Sequence, residues 1–285
     1  MVRFWKITPG GNPTVLLEAD AVAPALRASA AAEIMSPGHL AAEQVGFLTS
    51  SGGLTPRLDM MGGEFCLNAT RACAALLARQ GVLPSLGPDR WGGQIEVSGA
   101  ESAVDVRVRR VPADQGQMDW TAAAGMKFRG MPEPPAMLGG ACLIRVPGIA
   151  HILLENAPPP SADNLPSACA ELRARFGLDG EAAVGCLWLD TMTDPPAVYP
   201  VVWVRATKTL CAESACGSGT LACALALRAR SGDSRLAIRQ PSGDILTVSF
   251  ESDSAKSARG GQIQHIWVGG PVRFVAEGTL FLRRL

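Results

Sequence analysis

The 285-residue sequence has three histidines and one tyrosine, and none of its eight cysteines lies in a Cys-x-x-Cys pair. Without clustered histidines or paired cysteines, a zinc ribbon, another metal centre or a thioredoxin-type redox site is disfavoured. The 26 basic and 26 acidic residues cancel, and lysine and arginine form no cluster interleaved with aromatic residues. This balance excludes the strong positive patches that bind nucleic acid or anionic membranes.

Long hydrophobic runs are also missing. No window approaches the roughly 18 uninterrupted apolar residues that a membrane-spanning helix needs. The first residues, MVRFWKITPGGNPT, lack the apolar centre and small-residue cleavage site of a signal peptide. We therefore expect a cytoplasmic protein with reduced thiols and a small molecule as its partner. The oligomeric state stays open, with a homodimer among the arrangements.

What the sequence does contain is an internal repeat. Residues 63–81 read GEFCLNATRACAALLARQG, and residues 213–232 read ESACGSGTLACALALRARSG. At an offset of 150, six of the twelve positions from 66 to 77 are identical: Cys66/Cys216, Thr70/Thr220, Ala72/Ala222, Cys73/Cys223, Ala74/Ala224 and Leu77/Leu227. A repeat of this length indicates duplication into two similar domains.

Hydrophobic periodicity predicts an α+β fold for both halves. In the first half we expect strands at 14–19, 43–50, 94–99 and 103–111 and helices at 23–35 and 66–80. In the second half we expect strands near 141–147, 183–189, 199–205, 235–240 and 244–250 and helices at 165–176 and from residue 216. The predicted domains are 1–128, completed by a tail strand within 272–285, and 129–271, with the Pro/Gly-rich segment 130–140 as their link.

Cysteine at the start of a helix has a chemical meaning. The first turn exposes N–H groups and a partial positive charge, which lower the pKa of a thiol and bind a carboxylate. Cys66 and Cys216 are therefore predicted to act as an acid–base pair that removes and returns the α-proton of an amino acid. The alternative is that both are small buried residues. Cys73 and Cys223 lie two turns deeper and are predicted to belong to the core.

These motifs resemble those of the diaminopimelate epimerase superfamily, amino-acid racemases that use no pyridoxal phosphate. Cys66-Leu67-Asn68-Ala69 is similar to the family's Cys-Gly-Asn-Gly element, and residues 215–219 match its Ala-Cys-Gly-Ser-Gly element. The resemblance implies two pseudo-symmetric domains, each a curved sheet around a central helix, with the active site in the interdomain cleft. It also implies the substrate contacts Asn12, Glu43, Gln44, Leu67, Asn68, His151, Glu213, Gly217 and Ser218.

Departures from the diaminopimelate pattern concern the far end of the substrate. Ile149 and Ala183 stand where that family has asparagines, and Thr207-Lys208 stands where it has Glu-Arg. Charged substrate ends would meet uncharged groups there, which makes diaminopimelate itself a poor fit. Leu67 replaces the usual glycine and narrows the predicted entrance to the site.

A closer resemblance is to the histidine racemases of opine-metallophore pathways. They carry similar strings, represented here by EQVGF at 43–47, EFCLNAT at 64–70, Glu213 and QPSGDIL at 240–246. The resemblance implies a cofactor-independent racemase of L- and D-histidine. The alternatives are an epimerase of another basic or diamino acid, such as diaminopimelate, and a non-catalytic small-molecule binding protein of the same fold.

Overall fold

The protein is described by a computed structural model over residues 1–50, 55–112, 118–129, 136–205, 208–252 and 263–283. Its residues form two compact units, which we call unit 1 (Met1–Gly125 with Gly269–Leu285) and unit 2 (Met126–Val268). The division falls inside two strands, one shared near residue 125 and the other near residue 269. Most of the Pro/Gly-rich segment that was predicted to link the domains, residues 130–135, lies outside the described residues.

Unit 1 alternates strands with two helices. Its elements are β1 (Val2–Pro9), β2 (Thr14–Glu18), α1 (Arg27–Met35), β3 (Gln44–Thr49), β4 (Arg57–Met60), α2 (Leu67–Arg79), β5 (Ser85–Gly87), β6 (Arg90–Val97), β7 (Val104–Pro112) and the first part of β8 (Met118–Arg129). The predicted helix 23–35 is shorter, because a 3-10 turn at Pro24–Leu26 precedes α1.

Unit 2 repeats this order of elements. It contains β9 (Ala136–Leu138), β10 (Ala141–Val146), β11 (Ile149–Glu155), α3 (Leu165–Arg175), β12 (Ala183–Asp190), β13 (Ala197–Val204), β14 (Thr209–Ala212), α4 (Gly217–Ser231), β15 (Arg235–Arg239), β16 (Ile245–Ser252) and the first part of β17 (Ile263–Leu280). The last part of β17 belongs to unit 1 and pairs with β1, from Val2 opposite Leu280 to Pro9 opposite Val272.

The strands of unit 1 close into a ring. Pairing runs from β1 through β2, β3, β4, β6, β7 and β8 to β17, which returns to β1. Helix α2 packs against this ring, and its residues from Leu67 to Ala78 are buried. The alanine-rich sequence of α2 suits this position, since small side chains let strands approach on every side. The predicted curved sheet around a helix is thus, in unit 1, a closed barrel.

Unit 2 shows the corresponding pairings. Strands β11 and β12 are parallel and are joined through α3, as β2 and β3 are joined through α1. Strands β13 and β15 pair in parallel through α4, as β4 and β6 pair through α2. Helix α4 packs on the strands from β10 to β13 and on β15 and β16, and it ends at Gly232, whose φ of 75° suits glycine.

Helices α1 and α3 cover the faces of the strands that point away from α2 and α4. Ala30, Ala31 and Ile34 of α1 pack on β1–β3, and Leu165 and Cys169 of α3 pack on β10–β13. The central helices α2 and α4 pack against the opposite, inner faces of the strands. Among the described residues, no helix combines the length and the apolar character needed to cross a membrane.

Candidate active site

Cys66 and Cys216 are the N-cap residues of α2 and α4. Their backbone angles are nearly identical, with φ −129° and ψ 111° at Cys66 and φ −128° and ψ 110° at Cys216. The Cys66 Sγ accepts a hydrogen bond from the Ala69 N–H, and the Cys216 Sγ accepts one from the Gly219 N–H, both at 3.3 Å. The helices therefore begin one residue later than predicted, and each sulfur caps its own helix.

A threonine four residues on completes each cap. The Thr70 hydroxyl donates to the Cys66 carbonyl oxygen at 2.7 Å, and the Thr220 hydroxyl donates to the Cys216 carbonyl oxygen at 2.6 Å. The duplication thus preserves the hydrogen bonds as well as the residues. Cys73 and Cys223 are fully buried, and burial raises the pKa of both thiols, so they belong to the core as predicted.

Gln44 is the first partner of the partly buried Cys66. The thiol donates to the Gln44 Oε1 at 3.0 Å, and Gln44 opens strand β3 beside Thr14 of β2. An amide offers both an acceptor and donors, so its rotation would let it bind either the thiol or a thiolate. Gln44 is thereby suited to a cysteine that changes its protonation state.

Asn12 and Glu43 form a second group in unit 1. Asn12 is fully buried, and its Nδ2 donates to the Glu43 Oε2 at 2.6 Å. The Thr14 hydroxyl donates to the Asn12 Oδ1 at 3.1 Å, and the Glu43 N–H bonds the Pro13 carbonyl oxygen at 2.7 Å. The parallel pairing of Thr14 with Gln44 connects this group to the one around Cys66.

Asn68 is held by a buried cation that sequence analysis missed. Arg71 is fully buried on α2 and donates to the Asn68 Oδ1 at 3.2 Å. Its guanidinium also donates to the carbonyl oxygens of Ala122 on β8 at 3.1 Å and of Pro271 on β17 at 3.0 Å. The internal repeat indicates that Arg71 is buried. The equivalent residue in α4 is the apolar Leu221, and the structure shows that both residues are fully buried.

Leu67 and Gly217 are the first residues of α2 and α4, and both are buried. Leu67 is 4% exposed, so most of its side chain packs within the protein. The substrate contacts predicted for these two residues stay predictions. The first turns to which they belong contain the helix N–H groups that have no partner within their own helix.

The surroundings of Cys216 favour its protonated form. Burial, the negative charge of Glu213 and a hydrogen bond between this carboxylate and the thiol raise the pKa of Cys216 well above its usual range. Two hydrogen bonds lower the pKa of Cys216, but their effect is smaller. One involves Ser218, whose Oγ lies 3.5 Å from the sulfur, and the other comes from the Gly219 N–H. The prediction that the helix start lowers the pKa of this thiol is therefore wrong: burial and Glu213 outweigh the helix dipole, and Cys216 is held as a thiol.

His151 lies on β11, opposite Ile144 of β10 and Gly185 of β12. The ring is fully buried, neither nitrogen has a hydrogen-bond partner among the described residues, and burial lowers its pKa to about 3. A Cβ atom at position 185 would overlap the imidazole, which explains the glycine there. Burial therefore keeps this imidazole neutral.

The predicted site residues are thus divided between the two units. Unit 1 holds the groups around Cys66 and Asn12, and unit 2 holds Cys216 with Glu213 and Ser218, together with His151 on β11. Among the predicted departures, Ile149 and Ala183 open β11 and β12, and Thr207 lies outside the described residues. In the part of the chain that the structure describes, no three histidine, cysteine or acidic side chains form a group able to hold a metal ion.

Comparison with known proteins identifies the family. Residues 1–281 match the family model of the histidine racemase CntK N-terminal domain. The chain belongs to this family. A histidine racemase from Fusobacterium nucleatum subsp. nucleatum (strain ATCC 25586) is 30% identical over 283 residues, which is 99% of this chain and 97% of the relative. A histidine racemase from Staphylococcus aureus (strain Mu50) is 40% identical over 73 residues, or 25% of this chain.

Solved structures of other proteins are similar to this chain in fold. A probable proline racemase from Agrobacterium radiobacter K84, with bound carbonate, aligns with a TM-score of 0.64 and 13% identity, covering 99% of this chain and 93% of the other. A hydroxyproline epimerase from Agrobacterium vitis, with bound trans-4-hydroxy-L-proline, aligns with a TM-score of 0.64 and 12% identity, covering 97% and 90%. The protein therefore has a proline-racemase-like fold. Its membership of the histidine racemase CntK family makes it an isomerase of the amino-acid racemase class.

Proposed function

We propose that this racemase interconverts L- and D-histidine by a two-base reaction of Cys66 and Cys216, without a cofactor. The observation that carries the proposal is the pair of cysteine N-caps, which share their backbone angles and their capping bonds across the duplication. Both thiols thus lie at a helix start, where N–H groups and the helix dipole favour a bound carboxylate. The substrate assignment is supported by the family and by a related histidine racemase, whose sequence similarity extends over nearly the whole length of the chain.

The reaction requires one thiol at each face of the substrate Cα atom. One cysteine, as the thiolate, takes the α-proton, and the C–H bonding electrons pass into the Cα–carboxylate system. The other cysteine, as the thiol, gives its proton to the opposite face, so that the enzyme ends with the proton on the first sulfur. The reverse reaction exchanges the two roles, and no proton or electron is gained or lost overall.

The helix starts supply the electrostatic part of the mechanism. The first turns of α2 and α4 carry N–H groups and the positive ends of the helix dipoles. A substrate carboxylate bound there would be stabilised as negative charge builds up on it during proton removal. Asn68, held by Arg71, lies in the first turn of α2, and Ser218, beside the Cys216 sulfur, lies in the first turn of α4.

The two thiols differ in the neighbours that control their protons. Gln44 is neutral and suits both protonation states of Cys66, whereas Glu213 favours the protonated state of Cys216. In the resting enzyme we therefore assign the proton to Cys216. His151, whose two ring nitrogens have no partner in the described residues, is proposed to bind the substrate as a neutral imidazole.

The direct test is chiral chromatography of each of the chiral common amino acids after incubation with reduced enzyme. We expect conversion of L- and D-histidine, with exchange of their α-hydrogen for solvent deuterium. Aminooxyacetate, which captures carbonyl cofactors, should leave the rate unchanged. Turnover of a different amino acid would replace the substrate assignment. The absence of α-hydrogen exchange with every amino acid would favour the non-catalytic alternative.

Glu213→Gln is expected to lower the pKa of Cys216, because the negative charge and the carboxylate hydrogen bond both favour the protonated thiol. The limb of the kcat/KM pH profile that reports Cys216 should therefore move to lower pH, and the same shift should appear in both directions of the reaction. The measurement is the pH profile from L-histidine and from D-histidine. Glu171→Gln, an exposed change on α3, is the control. An unmoved profile would contradict the coupling between Glu213 and Cys216.

A further inference from the structure

We propose that Gln240 is the positioning residue of Cys216, an inference that rests on the proposed two-base function. Gln240 is 3% exposed and directly follows the last residue of β15. Its Oε1 accepts a hydrogen bond from the Cys216 N–H at 3.0 Å, so the side chain binds the backbone of the reactive cysteine directly. Its Nε2 donates to the Thr220 Oγ at 3.0 Å and to the Ile238 carbonyl oxygen at 3.2 Å.

Thr220 closes the arrangement into a loop of hydrogen bonds. Its hydroxyl accepts from the Gln240 amide and donates its single hydrogen to the Cys216 carbonyl oxygen at 2.6 Å. Gln240 therefore holds the amide N–H of Cys216 directly and the carbonyl of Cys216 through Thr220. The peptide groups on both sides of the reactive residue are fixed by one side chain.

The orientation of the Gln240 amide follows from its partners. Turning it over would place an NH₂ group against the Cys216 N–H and an oxygen against the Ile238 carbonyl, two contacts without a hydrogen bond. In the observed orientation, every contact joins a donor to an acceptor. A fully matched and buried network of this kind is stiff, because any displacement leaves a polar group unpaired.

The turn that carries Gln240 is itself tied to the approach to α4. The Gln240 N–H bonds the Asp244 carbonyl oxygen at 2.8 Å, and Gly243 supplies the positive φ of 86° that the turn requires. The Ser242 N–H bonds the Ser214 carbonyl oxygen at 3.0 Å. The turn between β15 and β16 is therefore hydrogen-bonded to the chain at two residues, Ser214 and Cys216.

In unit 1 a different residue stands at the position that corresponds to Gln240. The residue 150 positions before Gln240 is Arg90, which is exposed at the start of β6. The Cys66 helix is instead fastened through Arg71. Gln240 is thus predicted to control one thiol of the pair and not the other, so that Cys66 becomes an internal reference in any experiment on Gln240.

Gln240→Met keeps the length of the side chain and removes its hydrogen bonds. We expect kcat for racemisation to fall by roughly 10- to 100-fold, because small displacements of a reacting group have effects of this size, with little change in KM. The rate of alkylation by iodoacetamide, followed by mass spectrometry, should change at Cys216 and stay the same at Cys66. Gln94→Met, an exposed change on β6, is the matched control.

Gln240→Glu is the second variant and carries the test if Gln240→Met does not fold. It keeps an acceptor for the Cys216 N–H, adds a negative charge next to the Cys216 backbone, and loses the donor to Thr220 and to the Ile238 carbonyl oxygen. We expect the pH at which Cys216 becomes reactive towards iodoacetamide to rise, with Cys66 unaffected. Unchanged kcat and unchanged Cys216 alkylation in both variants would overturn the proposal and leave Gln240 a structural residue. Because alkylation needs no substrate, this test stays valid even if histidine is not the substrate.

Discussion

Cys66→Ser and Cys216→Ser are each expected to lower kcat for racemisation by roughly 10²- to 10⁴-fold or more, the range that general acid–base groups contribute. A serine hydroxyl is a far weaker acid than a thiol and does not supply a base near neutral pH. Serine is, however, a strongly preferred N-cap residue. Since both cysteines cap their helices through the sulfur, serine keeps the cap and removes the acid–base group. Chiral chromatography of histidine measures the loss.

The comparison with alanine separates chemistry from folding. Cys66→Ala and Cys216→Ala remove the cap as well, which costs about 1 kcal/mol of stability per helix, and should be less stable than the serine variants at equal activity. Cys73→Ala and Cys223→Ala, in the cores of the same helices, are the matched controls and should retain turnover. Full racemisation by Cys216→Ser would exclude the two-base reaction.

Arg71→Leu is expected to reduce the free energy of unfolding by about 3–5 kcal/mol, because the variant loses several hydrogen bonds from a charged group and each contributes about 1.5–3 kcal/mol. The variant loses the bonds from the guanidinium to Asn68, Ala122 and Pro271 and leaves these buried acceptors without them. Unbonded acceptors of this kind are costly. Urea unfolding, followed by circular dichroism, measures the change.

Arg79→Leu is the matched control for this experiment, because Arg79 lies two turns further along α2 and its side chain is 41% exposed. It is expected to change stability little, since exposed ion pairs contribute about 0–1 kcal/mol. Arg71→Lys should be intermediate, as it retains the charge but not the planar fork. Arg71→Leu would contradict the prediction if it were as stable as the native protein, in the way that α4 tolerates Leu221 at the same position.

Local patterns in the sequence predicted the two central helices and many of the strands, but they missed β1, β4, β5, β9, β11 and β14 as well as β8. The starts of α2 and α4 follow from cysteine before an alanine-rich run, and the strict alternation at 103–111 predicts β7 at Val104–Pro112. Strand β8 was missed because its central residues, TAAAGM, lack the β-branched pattern of a strand, and pairing with β7 decides its conformation. Propensity is weak wherever tertiary contacts supply the energy.

Contacts between distant residues explain the rest of what sequence analysis could not provide. Arg71 is an unremarkable basic residue until the fold brings Pro271, 200 positions later, to its guanidinium. Gln240 entered only as part of a family string, and its grip on Cys216 depends on the turn between β15 and β16. The pKa of Cys216 depends on burial and on the placement of Glu213, neither of which a helix-start rule contains.

The unlike neighbours of the two thiols have a consequence that the equilibrium of the reaction imposes. The enantiomers of one amino acid have equal free energies in water, so a racemase must have the same kcat/KM for both. Gln44 beside one sulfur and Glu213 beside the other therefore cannot make the enzyme favour one hand. They can only divide the free enzyme unequally between its two protonated forms. The difference between the two thiols can then be measured through kcat and KM. Each of these constants can differ between L- and D-histidine, but both must differ by the same factor, so that their ratio is equal.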